Sequence, residues 1–274
     1  MENHTVKTVY DFGMNNGDDV EYYLKKGCRV VGVEANPALA DFCRKRFSDE
    51  IASGTFVVLN VALSNISSET RIPFYIHKTN HVLSQVVRPN EEVMPQFDRI
   101  DVPQRRASDI VIEHGTPYYI KIDVEHFDQV VLADLFDNNI RPPYVSAESH
   151  SIEVFCRMVA AGYTSFNLVD GPTVSSRYER ALINTATGKT EHRFMPHAAG
   201  PFGDDIASHW LDPQSFFAYL ASAGLGWKDV HATLLDVPLG QYRRPNAVLS
   251  FREHVHDLFP SLRRAIAARL KSRD

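Results

Sequence analysis

Val6-Lys-Thr-Val-Tyr10, Asp11-Phe-Gly-Met-Asn-Asn-Gly17 and Arg29-Val-Val-Gly-Val33-Glu34 open the chain in the order strand, glycine turn, helix, strand, acid. The apolar run Val6–Tyr10 predicts a first strand. Helix-like residues continue from the turn to Lys26, and a second strand over Arg29–Val33 stops at Glu34. Glycines at a strand-to-helix turn let backbone approach a ligand closely, and the helix N-terminus offers free N–H groups. An acid closing the next strand is placed to accept from two ribose hydroxyls. These residues predict a nucleoside-cofactor site.

The spacing separates two cofactor classes. A dinucleotide fingerprint is G-x-G-x-x-G, with its second glycine where pyrophosphate sits. Here the pattern is D-x-G-x-x-x-G, and Asn15 fills that second position. Asp11, Asp18 and Asp19 add negative charge, which disfavours a pyrophosphate and suits the sulfonium and ammonium of S-adenosylmethionine (SAM). The turn and Glu34 therefore point to SAM. A nicotinamide cofactor with oxidoreductase chemistry and a SAM-binding module without catalysis are the alternatives.

The chain has 274 residues and a net charge of −5, which gives no general basic field for a nucleic-acid backbone. Its three cysteines, Cys28, Cys43 and Cys156, lack C-x-x-C spacing and read as reduced thiols of a cytoplasmic protein. No apolar run is long enough to span a membrane, and the first residues carry no signal-peptide pattern. A homo-oligomer is compatible with this composition.

Further strands are expected at Thr55–Leu59, Tyr118–Asp123, Tyr144–Glu148 and Thr164–Val169. Helices are expected from Asn36-Pro37 to about Phe47, at Phe127–Phe136 and at Ser151–Ala161. Regular β-α alternation implies a mostly parallel, doubly wound sheet. Arg71–Ile76 and Ile100–Arg106 suit an extra ribbon, joined by a polar loop with Asn80, His81 and Ser84. The alternation lapses over 170–245, where Pro213–Ala223 is a helix candidate. A last strand is expected at Ala247–Phe251 and a closing helix at Leu258–Lys271. One domain over 1–274 follows: a βα core to 169, an acceptor-binding or lid insertion over 170–245, and a closing strand and helix over 246–274.

Asp123 and Glu125 end the fourth strand of this core, and Glu148 and His150 the fifth. Residues i and i+2 of a strand share a face. Adjacent strands would gather the four at the carboxyl edge of the sheet, where open α/β sheets bind ligands. Buried carboxylates are costly unless paired or ligated, so such a cluster points to function. Gly200-Pro-Phe-Gly-Asp-Asp205 is a turn with paired acids, and Asp229 and His231 stand at i, i+2. His231 is the first candidate for a general base, with His126 beside the acids as another.

Together these residues resemble the FkbM family of SAM-dependent methyltransferases. The matching segments are Asp11–Gly17, Val33-Glu-Ala-Asn-Pro37, Asn60-Val-Ala-Leu-Ser64, Ile120-Lys-Ile-Asp-Val-Glu125, Gly200–Asp205 and Trp227-Lys-Asp-Val-His-Ala232. The resemblance implies a class I methyltransferase fold, a seven-stranded sheet with its last strand antiparallel. It also implies O-methylation of a sugar or secondary-metabolite hydroxyl. The cofactor residues it suggests are Asp11, Gly13, Asn15, Asn16, Gly17, Glu34, Ala35, Asn60, Ala62 and Asp123. Catalysis falls to His231, Asp123, Glu125 and His126; the acceptor to Glu148, His150, Asp204, Asp229 and His81. His126 stands where the family commonly has a small residue, which narrows the pocket or adds a base or ligand. An alcohol is a poor nucleophile near pH 7 and needs a base or a metal. Metal-free base catalysis is expected; the other route is a hard divalent cation on Asp123, Glu125, Glu148 and His150.

Overall fold

The computed structural model describes residues 6–66 and 70–242. The first half of the sheet is built from β1 (Thr8–Phe12), α1 (Asp18–Lys25), β2 (Arg29–Val33), α2 (Pro37–Arg46), α3 (Ser48–Ala52) and β3 (Phe56–Leu59). A ribbon follows: β4 (Ala62–Ser64), β5 (Arg71–His77) and β6 (Phe97–Arg106). Then come α4 (Ala107–His114), β7 (Tyr119–Ile122), α5 (Asp128–Asp137), β8 (Tyr144–Ser149), α6 (Ile152–Ala160) and β9 (Ser165–Asp170). The chain continues through α7 (Val174–Arg177), the hairpin β10 (Ala181–Thr185) and β11 (Gly188–His192), α8 (Pro213–Ala223) and β12 (Gly226–Thr233).

Seven strands form one sheet in the order β3-β2-β1-β7-β8-β12-β9. β12 runs antiparallel to both β8 and β9, and the other pairings are parallel. This is the expected doubly wound class I architecture. The order reverses between β1 and β7, so the crevice for a ligand opens beyond their carboxyl ends.

Both faces of the central strands are covered, which is why they read as near-continuous apolar runs. Tyr10, Phe12, Ile120, Ile122, Val145 and Ala147 pack on one side with residues of α4, α5 and α6. Val9, Val30, Tyr23, Tyr119 and Phe202 pack on the other. Each large apolar side chain buried here contributes about 1.5–3 kcal/mol. Local signals set the helix starts. Gly17 caps α1 at φ 80°, with Asp18, Asp19 and Glu21 in the first turn complementing the helix dipole. Asn36 caps α2 by accepting from the Ala38 N–H, ahead of Pro37.

The position of the antiparallel strand corrects the sequence reading. It is Gly226–Thr233, inside the segment read as insertion. Its Asp229, His231 and Thr233 alternate with Val230 and Ala232, a pattern that reads as half-exposed, yet all five are buried. The strand and helix expected at 247–251 and 258–271 lie outside the described residues. The expected ribbon is present: β5 and β6 pair antiparallel from Arg71↔Pro103 to His77↔Phe97, and β4 joins β6 in parallel. Among the described residues no helix is long and apolar enough to cross a membrane.

Candidate active site

A cavity of 490 Å³ opens at the β1/β7 reversal. Its first wall is the glycine turn. Gly13 and Met14 N–H groups both donate to the Val33 carbonyl at 3.0 Å, clamping the turn to the end of β2. Gly13 has φ +87°, and a Cβ there would collide with the carbonyl oxygen of Asp123, so only glycine fits. Asn15 N–H donates to Glu34 Oε2 at 2.9 Å, and Asn36 N–H to Oε1 at 2.7 Å. Asn60 Nδ2 donates to the Glu34 and Ala35 carbonyls at 2.8 and 3.2 Å. Burial, partly offset by those backbone donors, pushes the Glu34 carboxyl up to about 7.

Beneath the turn lies Lys121. Its ammonium is 3.3 Å from Asp11, 3.5 Å from Asp19 and 3.2 Å from Asp123, and donates to the Gly13 carbonyl at 3.2 Å. One cation shared by three carboxylates leaves net negative charge, which suits a cationic ligand. Asp19 also accepts from the Ala199 N–H, 3.1 Å from each carboxylate oxygen, and so ties segment 195–203 over α1. Pro196, His197 and Trp227 close the cavity there, His197 stacked on Trp227 with centroids 5.2 Å apart.

The far end of the cavity is acidic and imidazole-rich. Asp123, Glu125, Glu148 and His150 line it, faced by Asn80, His81 and Leu83 from the ribbon loop. Backbone bonds of 2.9 and 3.0 Å between Tyr75 and Gln85 fold that loop back onto β5. His150 Nδ1 lies 3.1 Å from Glu148 Oε2, and the His126 and His150 rings are 4.4 Å apart. Burial, then the neighbouring His126, lower the His150 pKa, so its ring is neutral near pH 7. Burial, then Asp123, raise Glu125 to about 8 and Glu148 to about 10. A second cavity of 340 Å³ shares Leu83 and Glu125 with the first and adds Arg88, Phe97 and His126.

Of the expected cofactor residues, Gly13, Asn15, Asn16, Glu34, Ala35, Ala62 and Asp123 line the main cavity. Asp11, Gly17 and Asn60 do not; they support it by pairing Lys121, capping α1 and bonding the Glu34–Ala35 backbone. Of the acceptor residues, Glu148, His150 and His81 line it. Asp204 is exposed on the Gly203–Asp205 turn, where the neighbouring Asp205 does the tethering through Tyr22 and Asn184. Asp229 is buried opposite Glu148 in the sheet, outside the cavity lining. His231 requires a correction as candidate base. It is 2% exposed, stacked on Tyr119 with centroids 6.4 Å apart and outside the lining, and burial holds its pKa at about 3. Sequence reasoning missed His197 and Trp227 as walls and the tether from Asp19 to Ala199. Only the acids of the glycine turn hinted at the last.

The sheet order is that of the class I methyltransferase fold. The family model for the methyltransferase FkbM domain matches residues 11–161, more than half of the chain. The chain belongs to the FkbM methyltransferase family, which sets the oxidoreductase alternative aside. No curated protein matches it. Among solved structures it is similar to the METTL16 MTase domain at 8% identity and TM-score 0.37, covering 61% of this chain and 55% of that one. It is also similar to the precorrin-6y C5,15-methyltransferase of Geobacter metallireducens, at 9% identity and TM-score 0.35, covering 69% and 77%. A third is the precorrin 8W decarboxylase of Methanobacterium thermoautotrophicum, at 8% identity and TM-score 0.38, covering 84% and 83%. The chain thus spans about half the length of the METTL16 chain.

Proposed function

We propose that this methyltransferase acts on a hydroxyl of a sugar or secondary-metabolite acceptor, with general-base assistance from His150. One observation carries the reading. A single cavity joins the Gly13–Asn16 turn and Glu34 at one end to Asp123, Glu125, Glu148 and His150 at the other. The first end fits SAM: a buried carboxylate with backbone donors only, a turn without side-chain obstruction, and surplus negative charge. Gly13, Asn15, Asn16, Glu34, Ala35 and Ala62 would hold the cofactor, Glu34 by accepting from ribose hydroxyls. SAM supplies an electrophilic methyl group on a sulfonium.

At the other end His150 is the proton acceptor. A neutral imidazole suits that role near pH 7. His150 Nδ1 lies 3.1 Å from Glu148 Oε2 without a hydrogen bond of ordinary geometry, and the residue lines the cavity. His81 and Asn80 orient the acceptor from the ribbon loop, and His126 and Arg88 extend its wall into the second cavity. General-base catalysis is typically worth ~10²–10⁴ in rate. His150→Gln should lower kcat by about that factor and leave S-adenosylhomocysteine affinity nearly intact. Transfer of label from SAM to a panel of hydroxylated acceptors, with calorimetry on the same variant, tests this. Full activity in His150→Gln removes the residue from the chemistry, and label found only on nitrogen or carbon acceptors removes O-methylation.

A further inference from the structure

We propose that Asp123, Glu125 and Glu148 hold one divalent cation of the Mg²⁺/Mn²⁺ class at the acceptor end of the cavity, flanked by His126 and His150. One carboxylate oxygen from each of the three acids lies within 4.8 Å of the others. Glu125, His126 and His150 meet the same distance, so Glu125 is common to two groups of potential donors. Charge balance is the second consideration. Lys121 is already shared among Asp11, Asp19 and Asp123. Among the described residues neither Glu125 nor Glu148 has a lysine or arginine partner, and Glu148 lies 3.1 Å from the His150 ring, which is neutral near pH 7. Buried carboxylates are paired or ligate metals, because an isolated charge there is costly.

A separate residue points the same way. Asp128, on the first turn of α5, is 1% exposed, and neither of its oxygens makes a hydrogen bond of ordinary geometry. It lies by its own backbone N–H and those of Val124 and Glu148, and its charge bears on Glu125 and Glu148. A fourth buried acid whose charge bears on Glu125 and Glu148, with no cation of its own among the described residues, is the surrounding expected of a site completed by an ion. Three carboxylate oxygens select a hard cation. The open side of the cluster faces the cavity, where an acceptor hydroxyl completes the coordination.

The use of this cation in methyl transfer rests on the function proposed above; the site itself does not. Coordination lowers the hydroxyl pKa. The acceptor oxygen then forms its C–O bond as the sulfonium C–S bond breaks. The bonding pair stays on sulfur, and the hydroxyl proton goes to His150.

Mn²⁺ titrated into the metal-stripped full chain, with free Mn²⁺ read by electron paramagnetic resonance, tests the site. One Mn²⁺ per chain is expected, weakened roughly tenfold or more in Glu125→Gln and Glu148→Gln. Retained S-adenosylhomocysteine binding verifies that both variants are folded. No uptake by the wild-type chain at about 1 mM Mn²⁺, the weak end of carboxylate sites, overturns the proposal. Strong nitrogen coupling to the bound ion overturns the carboxylate assignment in favour of Glu125, His126 and His150. A methyl-transfer assay after chelation separates the two claims. Activity lost and restored by Mn²⁺ supports the catalytic use. Unchanged activity after chelation, with Mn²⁺ still bound on titration, overturns that use and leaves the site. Absence of any hydroxyl methylation counts against the proposed function, whatever the titration shows.

Discussion

Glu34 accepts two backbone N–H bonds at the end of β2, and burial pushes its carboxyl up to about 7. Ribose hydroxyls donate best to an ionised carboxylate, so cofactor binding lowers this pKa and releases a proton when the pH lies near or below 7. S-adenosylhomocysteine affinity should therefore rise as pH rises from about 6 to about 8. The dependence is at most ~1.4 kcal/mol, or tenfold, per pH unit below the free pKa. Glu34→Gln should lose about 1.5–3 kcal/mol of binding at pH 8 and abolish the slope. Calorimetry in two buffers of different ionisation enthalpy measures the released proton. Parallel pH slopes in wild type and Glu34→Gln would sink the assignment. Gly13→Ala is the sterically forced companion: the new Cβ meets the Asp123 carbonyl, so both affinity and folding yield should drop. Residue identity was legible here because a glycine turn and a strand-end acid have few other uses. Direction was less legible. Asp229 and His231 share a strand face, but register places that face in the core, against Glu148 and Ser146, rather than in the cavity.

Two elements outside the βα core wall the cavity, the ribbon loop over 78–96 and the segment 195–203. Asn80, His81 and Leu83 face the strand-end acids across the cavity. Replacing all three by alanine should lower kcat/KM for the acceptor by about tenfold for each ~1.4 kcal/mol of acceptor binding free energy that the loop supplies. S-adenosylhomocysteine affinity should change by less than about twofold, because Glu34 and the glycine turn stay intact. Equal losses in both would show that the loop is a cofactor element instead. Segment 195–203 hangs on Asp19, which accepts from the Ala199 N–H. Asp19→Ala leaves a buried N–H unpaired, at about 1–3 kcal/mol. Amide exchange at Ala199 and its neighbours should then speed up more than in the central strands. The βα frame was readable in the sequence because strands buried on both faces give long apolar runs, and the ribbon because Arg71–Ile76 and Ile100–Arg106 each suit a strand. β12 was not, because its polar residues are buried between strands that only the fold brings alongside. Nor was the tether, since its ends are 180 residues apart.

Across the whole molecule, acids buried without enough cations set the pH dependence of stability. Burial raises Asp11 to about 6, Glu34 and Asp128 to about 7, and Glu125 to about 8. Unfolded carboxyls titrate near ~4, so each of these groups holds its proton more tightly in the folded chain. The stability each contributes is fully present below about pH 4 and is lost as pH rises through its folded pKa, here between about 6 and 8. His231 acts in the opposite sense. Its folded pKa near 3 lies below the ordinary imidazole value, so its contribution is present above ~6.5 and lost as pH falls toward 3. The raised carboxyls, which also include Asp19, Glu148 and Asp229, outnumber the lowered imidazoles His114, His150, His192 and His231, and the ligand-free protein should lose stability from pH 5.5 to 8. Shared protons and Lys121 reduce the imbalance. One net proton gives ~1.4 kcal/mol per pH unit, or roughly 3–6 °C in Tm for a chain of this size. S-adenosylhomocysteine should flatten the decline by making the ionised form of Glu34 useful, and Mn²⁺ should flatten it further through Glu125 and Glu148. Thermal unfolding at half-unit pH steps, with and without each ligand, measures both effects. A ligand-free Tm that holds or climbs between pH 6 and 8 would falsify the account of these acids as a charge deficit that ligands complete.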